Sequence, residues 1–265
     1  MAAELDGNPI SAAEALTLGL GNYGHFTSML VEHRRVRGLH LHLERLVRDC
    51  EAVFGTTPDP DRIRDLVRSA TAAVHGPIVV RVTMFDPDLN VAHPGRTAHP
   101  RVLVTFRPAP DVSLPPLRVR SVPYQREFAP VKHTGLFGTL GHKRRAQLAG
   151  YDDALFTDAA GRVTEGTTWN VCFADGGDGL LWPDAEHLPG VTMRLVRRGT
   201  AELGLSSADA SVGMVRARTA HAAFATNAVI GVRPVGSIDD VEIPGDPGLL
   251  ALIRKAYEAI PETEL

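Results

Sequence analysis

Lysine is scarce in this chain, and its placement is the first indication of chemistry. It occurs only at positions 132, 143 and 255, and the other basic residues are arginine. A lysine amine can lose its proton and form a Schiff base, whereas a guanidinium stays protonated at any accessible pH. Lys132 lies among small and turn-forming residues in VKHTG (131–135), whereas we expect Lys143 and Lys255 to be solvated. Lys132 is therefore the candidate for amine chemistry, with an ordinary surface lysine as the alternative.

A second candidate group is the carboxylate of Glu165, in the segment VTEGTTWNV (163–171). A solvated turn carboxylate is the ordinary interpretation of such a residue. The functional interpretation is a carboxylate that faces a protonated heteroaromatic nitrogen and keeps it cationic by charge pairing. Enzymes that use pyridoxal phosphate need such a partner, because the cofactor ring acts as an electron sink.

Two further segments have the composition of phosphate-binding turns. LPGVTMRL (188–195) is a Pro-Gly turn that leads into a predicted helix, and Thr192 adds a hydroxyl near its start. Helix N-termini offer free N–H groups and the positive end of a dipole to an anion. TNAVIG (226–231) could offer a turn of N–H groups in the same way. A plain helix cap and a plain strand end remain the alternatives.

The elements that would position these residues are predicted as helices and strands in two parts. In the first part we expect a hairpin that turns at 33–35, a helix stopped by Gly55, a helix from Asp59 or Asp61 to Gly76, and strands at 77–85 and 100–110. In the second part we expect short strands over 153–183 and helices at 138–151, 190–205 and 247–260. This mixture is typical of α/β or α+β folds.

Proline-rich APDVSLPPL (109–117) is the best linker, so the predicted domains are 1–112 and 113–265.

Net charge, hydropathy and the placement of cysteine and histidine argue against several classes of protein function. The net charge of −3 argues against a nucleic-acid partner, because there is no basic excess to neutralise phosphates. No run of eighteen apolar residues predicts a membrane span. The N-terminus does not resemble a signal peptide, and Cys50 and Cys172 are expected to be buried thiols, so we expect a cytoplasmic protein. His40 and His42 alternate, but no third ligand accompanies them, so no metal site is predicted.

Taken in order, five segments resemble the class IV family of pyridoxal-phosphate enzymes. They are HLERL (42–46), the Lys132 segment, GYDDALFTDAAGRVTEGTTWNVCF (150–173), LPGVTMRL and TNAVIGVRPV (226–235). The family includes branched-chain and D-amino-acid aminotransferases and aminodeoxychorismate lyases, and the resemblance covers roughly 20–235. It implies an α/β (α+β) fold of fold type IV, with a smaller N-terminal α/β domain, a larger barrel-like C-terminal domain, and a homodimer.

The resemblance also implies roles for single residues. Lys132 would be the Schiff-base lysine, and Glu165 would contact the pyridine nitrogen. The phosphate of pyridoxal 5′-phosphate would be bound by Arg45, Val191, Thr192, Asn227 and Ala228.

Several positions depart from the family pattern. Phe137 stands where the family has a tyrosine that bonds the cofactor's phenolate oxygen. GNYGHFTSM (21–29) differs from the usual motif, and Thr27 replaces the glutamate of many aminotransferases, which is more typical of the lyases. Candidate substrate contacts are Tyr23, His25, Thr27 and Arg81, of which Arg81 would bind a carboxylate or serve as a buried structural arginine.

These observations predict an aminotransferase that moves an amino group between an amino acid and a 2-keto acid by a ping-pong mechanism. The alternative, which Thr27 and TNAVIG (226–231) favour, is an aminodeoxychorismate lyase-like enzyme that releases pyruvate. A third interpretation is a non-catalytic cofactor-binding protein. The presence of both Lys132 and Glu165 argues against it, because the fold alone requires neither.

Overall fold

The computed structural model describes residues 3–110, 114–177 and 179–265. The chain divides into two compact units. The first comprises Met1–Pro110, Val131–Gly135 and Pro261–Leu265, and the second comprises Asp111–Pro130 and Leu136–Ile260. Lys132 therefore belongs to the first unit. The predicted boundary between residues 112 and 113 lies outside the described residues and stays a prediction.

The first unit is built on an antiparallel sheet. Its strands are β1 (Ala3–Leu5), β2 (Asn8–Pro9), β3 (His25–Val31), β4 (Arg35–Arg37), β5 (Ile78–Phe85) and β6 (Arg101–Pro108). Five of them form one sheet in the order β2-β1-β6-β5-β3, so β3 is an edge strand. β3 and β4 form the predicted hairpin, which turns at His33 and Arg34 in the left-handed region (φ 49° and 61°).

Three helices belong to this unit: α1 (Ala12–Gly21), α2 (Leu39–Phe54) and α3 (Pro60–Ala70). α2 ends at Gly55, as predicted, with φ 67°. α3 ends six residues before the predicted Gly76 because Thr71 leaves the helical region (φ −104°, ψ 2°). α1 was not predicted, although Ser11 and Glu14 form a reciprocal capping box that marks its start.

The core of the first unit lies between the sheet and the helices α2 and α3. Met29 and Val31 of β3 pack there with residues of the neighbouring strand and both helices: Val80, Val82, Leu46, Cys50, Ile63 and Val67. Because side chains alternate across a strand, Thr27 points to the same helix-covered face, and Phe26 points to the opposite face.

The second unit contains a mixed sheet. Its strands are β7 (Leu117–Pro123), β8 (Asp153–Thr157), β9 (Val163–Gly166), β10 (Asn170–Ala174), β11 (Gly179–Pro183), β12 (Ser206–Ala210), β13 (Ala222–Asn227), β14 (Gly231–Ile238) and β15 (Val241–Glu242). Their order is β12-β11-β10-β13-β14-β7-β8-β9, with β15 paired to β14. β7 is parallel to β8 and β14, and β11 is parallel to β12.

The helices of the second unit are α4 (Phe137–Leu148), α5 (Val191–Glu202), α6 (Met214–Arg218) and α7 (Pro247–Glu258). α5 and α7 pack so closely that a Cβ at Gly199 would lie 2.5 Å from the Ala256 carbonyl oxygen. They cover a core that includes Trp182, Val196, Phe224 and Ile253. The chain ends in β16 (Glu262–Glu264), which pairs with β4 in the first unit. Within the described part of the chain, no helix has the length and apolar character needed to cross a membrane.

Candidate active site

The segment that carries Lys132 is added to the free edge of β3. The Lys132 carbonyl oxygen accepts the Phe26 N–H over 2.9 Å, and the Thr134 N–H donates to the Gly24 carbonyl over 2.8 Å. On its other side, the Lys132 N–H donates to Oδ2 of Asp49 over 2.9 Å. Both peptide groups of Lys132 are therefore bonded within the first unit.

The amine of Lys132 lies near an aromatic ring that also contacts an arginine. Nζ is 5.0 Å from the Phe26 ring centroid, and Cζ of Arg81 is 3.6 Å from the same centroid. Arg81 comes from β5, on one side of β3, whereas Lys132 comes from the opposite edge. Among the described residues, the Arg81 guanidinium donates only through Nε, to Oγ1 of Thr83 over 3.2 Å. Burial lowers the Arg81 pKa below its ordinary value.

α2 places two motif residues in the buried layer behind the sheet. Oγ1 of the fully buried Thr27 is 2.7 Å from Nδ1 of His42. Burial, and then the charges of Arg45, Lys132 and His40, lower the His42 pKa to about 3, so this imidazole is neutral at pH 7. Arg45 is also buried, one turn before Asp49 on the same helix.

Tyr23 and His25 both contact Phe54. The Tyr23 hydroxyl donates to the Val53 carbonyl over 3.1 Å, and its ring meets Phe54 edge-on. Tyr23 and Phe54 line a cavity of about 350 Å³ together with the loop 86–99. His25 is fully buried, neither ring nitrogen has a hydrogen-bond partner among the described residues, and burial lowers its pKa to about 4.

In the second unit, Glu165 is held by two donors. Oε1 accepts from Nε of Arg126 over 2.9 Å, and Oε2 accepts from the Leu188 N–H over 3.3 Å. The Glu165 and Arg126 side chains are each 7% exposed. The sequence analysis missed Arg126, because it lies 39 positions from Glu165 in a loop without periodicity.

The turn after Glu165 is tightly packed. A Cβ at Gly166 would lie 1.9 Å from the Trp169 ring, so only glycine fits there. Oγ1 of Thr167 donates to the buried Asp153 over 2.6 Å, and Nζ of Lys143 bonds the same carboxylate over 2.7 Å. Lys143, which we expected to be solvated, keeps 30% of its side chain exposed but pairs with a buried carboxylate.

The start of α5 is fixed to the same region. Nδ2 of Asn170 donates to the Leu188 carbonyl over 2.7 Å, so both peptide groups of Leu188 are bonded to the Glu165–Asn170 stretch. Gly190 caps the helix without a side-chain bond, and Val191 and Thr192 are buried in its first turn.

Two buried hydroxyls in this unit have no hydrogen-bond partner among the described residues. They are Oγ1 of Thr192 on α5 and Oγ1 of Thr226 at the end of β13. Next to Thr226, Oδ1 of Asn227 closes the turn by accepting the N–H groups of Val229 and Ile230, with Ala228 inside the turn. Thr226 was not predicted, although it begins the TNAVIG segment. Buried polar groups are rarely left unbonded, so both hydroxyls are candidates for ligand contacts.

Phe137, which stands at the family's tyrosine position, is the first residue of α4 and is 91% exposed. His40 is exposed and His42 is buried, so the two histidines do not share an environment.

Known proteins resemble this chain in sequence and in fold. A family model described as amino-transferase class IV matches residues 24–238. A probable branched-chain-amino-acid aminotransferase of Rickettsia bellii (strain RML369-C) is 33% identical over 99 residues, which are 37% of this chain and 34% of that protein. One of Synechocystis sp. (strain ATCC 27184 / PCC 6803 / Kazusa) is 25% identical over 122 residues, or 45% and 40% of the two chains. The chain thus spans between a third and two fifths of these curated relatives.

Solved structures match almost the whole chain. The branched-chain aminotransferase of Thermoproteus uzoniensis, determined with norvaline, superposes with a TM-score of 0.88 at 20% identity, covering 97% of this chain and 93% of that one. A hypothetical aminotransferase of Mycobacterium tuberculosis in its PLP-bound form gives 0.85 at 17% identity, with 98% of each chain covered. These likenesses confirm the predicted α/β fold class. Since the family model covers most of the chain, from residue 24 to residue 238, the protein belongs to the class IV aminotransferase family.

Proposed function

We propose that this protein is a pyridoxal-phosphate-dependent aminotransferase that moves an amino group between an amino acid and a 2-keto acid. The observation that carries the proposal is the buried Glu165 carboxylate, which Arg126 and the Leu188 N–H hold in one orientation. A buried ion pair is a poor way to gain stability, because desolvation offsets the Coulomb attraction. A fixed carboxylate is, however, what the nitrogen of a pyridinium ring requires.

The groups present fit the phosphate of pyridoxal phosphate. Thr192 and Thr226 have buried hydroxyls to donate, and the N-terminus of α5 supplies N–H groups and a favourable dipole. We assign phosphate contacts to these threonines and to Val191, and further contacts to the turn at Asn227 and Ala228. In the first unit, we assign a phosphate contact to Arg45, whose guanidinium suits phosphate geometry.

When bound, the cofactor supplies an aldehyde that condenses with amines and a ring that withdraws electrons from the substrate's α-carbon. Lys132 would hold the cofactor through Nζ, and the same amine would take up and return the substrate's α-proton. Glu165 would bond the ring nitrogen, and Arg126 would hold the Glu165 carboxylate in place. The first product leaves before the keto acid enters, which gives ping-pong kinetics.

For the substrate carboxylate we propose Arg81. Its guanidinium is partly buried and stacks on Phe26, the ring that also lies near Nζ of Lys132. A partly buried cation that has no carboxylate partner among the described residues favours an anionic ligand. Tyr23, His25 and Thr27 stay predicted substrate contacts, but each side chain is engaged or buried against protein: Tyr23 and His25 against Phe54, and Thr27 against His42.

The lyase alternative relied on Thr27 and on the segment 226–231. Thr27 contacts His42 in the layer behind the sheet, and Asn227 closes its own turn. Within the described residues, these contacts do not favour the lyase. Rescue of a p-aminobenzoate auxotroph by this chain would support it nonetheless.

The proposal is tested by the absorbance spectrum of the purified protein with pyridoxal phosphate. We expect a yellow wild type, a yellow Lys255→Ala control with an exposed lysine removed, and a colourless Lys132→Ala variant. Borohydride reduction followed by peptide mapping should place the cofactor on Lys132. An amino acid should then convert the cofactor to its pyridoxamine form, and a keto acid should reverse the change. A wild type that takes up no cofactor contradicts the proposal.

We further propose a homodimer in the cytoplasm. Large apolar side chains on the second unit are exposed, including Phe137 at 91%, Phe128 at 79% and Leu140 at 52%, and such groups are typical of interfaces. Light scattering at several protein concentrations would measure the mass, and a monomer at every concentration would contradict the dimer. The buried thiols of Cys50 and Cys172 suit a reducing compartment.

A further inference from the structure

We propose that Asp49 is the positioning residue of Lys132: its buried carboxylate fixes the lysine's peptide group and thereby aims the amine. This inference rests on the proposed function for its catalytic consequence only. The bond itself is a feature of the first unit.

The two carboxylate oxygens of Asp49 have different hydrogen-bond donors. Oδ1 accepts from Nε and Nη2 of Arg48, over 2.9 and 2.6 Å, and Oδ2 accepts from the Lys132 N–H over 2.9 Å. The Asp49 side chain is fully buried, whereas that of Arg48 is 40% exposed. Arg48 therefore neutralises the carboxylate from the solvent side, and the inner oxygen is left to the lysine segment.

A charged acceptor is well suited to this task. Hydrogen bonds from a backbone N–H to a carboxylate are shorter and stronger than those between neutral groups. The carbonyl of Lys132 is meanwhile held by the Phe26 N–H of β3. With both peptide groups bonded, the direction in which the side chain leaves the backbone is set before Nζ reaches the Phe26 ring.

Asp49 also ties the lysine to α2. Asp49 lies one turn after Arg45, so the two side chains share a face of that helix. A straight helix keeps such residues at a fixed spacing. The lysine segment and the arginine assigned to phosphate thus share one rigid support, and a displacement of about 1 Å in a reacting group can slow a reaction about 100-fold.

The charge of the Asp49 carboxylate provides a contact that a neutral side chain would not reproduce. An asparagine could still accept the Lys132 N–H but would not pair with the Arg48 guanidinium. Alanine would remove both contacts. The lysine segment should therefore be held most firmly in the wild type, less firmly in Asp49→Asn and least firmly in Asp49→Ala.

The test combines hydrogen exchange with single-turnover kinetics on the full chain. Variants are Asp49→Ala and Asp49→Asn, with Asp65→Asn as a control, since Asp65 pairs with Arg68 on the exposed side of α3. In Asp49→Ala we expect the Lys132 amide to lose protection about 10- to 100-fold, while the β5–β6 ladder stays protected. The limiting rate of cofactor conversion should fall by a similar factor, with the half-saturating donor concentration unchanged. Asp49→Asn should lie between, and Asp65→Asn should match the wild type.

Several outcomes would overturn the inference. One is an unchanged Lys132 amide in Asp49→Ala, and another is a deprotected amide with a wild-type limiting rate. Exchange that increases over the whole chain in both Asp49 variants would mean that Asp49 supports the fold and not the segment. If the wild type converts no cofactor, the proposed function fails, and the exchange data alone then decide whether Asp49 holds the segment.

Discussion

Arg126 donates its Nε hydrogen to Oε1 of Glu165 over 2.9 Å, and the two side chains are almost inaccessible to water. The pair lies within the second unit, and the Leu188 N–H bonds the other carboxylate oxygen. A guanidinium in this position has two effects. It supplies the counter-charge of a buried carboxylate, and it fixes the plane in which the remaining lone pairs point. Arg126 therefore positions Glu165 without being assigned a contact to substrate.

Replacing Arg126 by glutamine should destabilise the fold strongly. The change leaves the Glu165 carboxylate buried without its counter-charge, which costs about 3–5 kcal/mol of unfolding free energy. Urea denaturation measures this value. The control is Arg197→Gln, which breaks an ion pair with Asp209 that is 29% and 54% exposed and should cost less than about 1 kcal/mol. If both variants lose the same free energy of unfolding, burial of the Arg126–Glu165 pair does not determine its contribution to stability.

The buried histidines should make the protein less stable in acid. Burial lowers the pKa of His42 to about 3 and that of His25 to about 4, both from 6.5. Between pH 6.5 and pH 4 the unfolded chain binds protons at these positions and the folded chain does not. The contribution of these histidines to the free energy of unfolding is therefore complete above pH 6.5. It is lost as the pH falls, by up to about 1.4 kcal/mol per pH unit for each histidine.

His25→Phe separates one of these contributions. In the wild type, the ring nitrogens of His25 have no hydrogen-bond partner among the described residues, and the ring packs near Phe54. An apolar ring should therefore be tolerated at this position. Urea denaturation at pH 7 and pH 5 should show a smaller loss of stability in the variant than in the wild type. An unchanged slope in His25→Phe would show that this histidine does not titrate as a buried group.

Much of the framework follows from local signals. The apolar stripe of α2 ends at a glycine that does take a left-handed conformation, and the Pro-Gly turn before α5 does start a helix. α1 was not predicted because its leucines, Leu16, Leu18 and Leu20, alternate with a period of two, which is not the spacing of a helix. Its capping box, formed by Ser11 and Glu14, is a local signal that marks the start of this helix in the sequence.

The candidate site was predictable in its reactive residues but not in their supports. Lys132 and Glu165 were identified through their segments, whereas Asp49 and Arg126 were not. Each support contacts its partner across a long sequence separation, 83 positions for Asp49 and 39 for Arg126. Such pairs are created by the tertiary fold, and neither periodicity nor turn chemistry encodes them.

Arg81 offers a test of substrate binding. If its guanidinium binds the substrate carboxylate, Arg81→Gln should raise the KM for the amino donor about 10- to 100-fold, as expected for a lost charged hydrogen bond, and change kcat less. Steady-state kinetics against donor concentration measures both constants. Arg107→Gln, on an exposed part of β6, is the control. A variant with wild-type KM but a lower unfolding free energy would identify Arg81 as a structural arginine stacked on Phe26.

The two unbonded hydroxyls offer a test of phosphate binding. Thr192→Ala and Thr226→Ala should each weaken the affinity for pyridoxal phosphate about 10-fold, because each removes one hydrogen bond to a charged group. Their stability should hold or rise, since a buried hydroxyl without a partner is a penalty in the cofactor-free protein. Absorbance titration gives the affinity and urea denaturation the stability, with the exposed Thr219→Ala as control. Inorganic phosphate should compete less well in both variants. If Thr192→Ala and Thr226→Ala bind the cofactor as tightly as the wild type while losing stability, the hydroxyls serve the fold and the phosphate lies elsewhere.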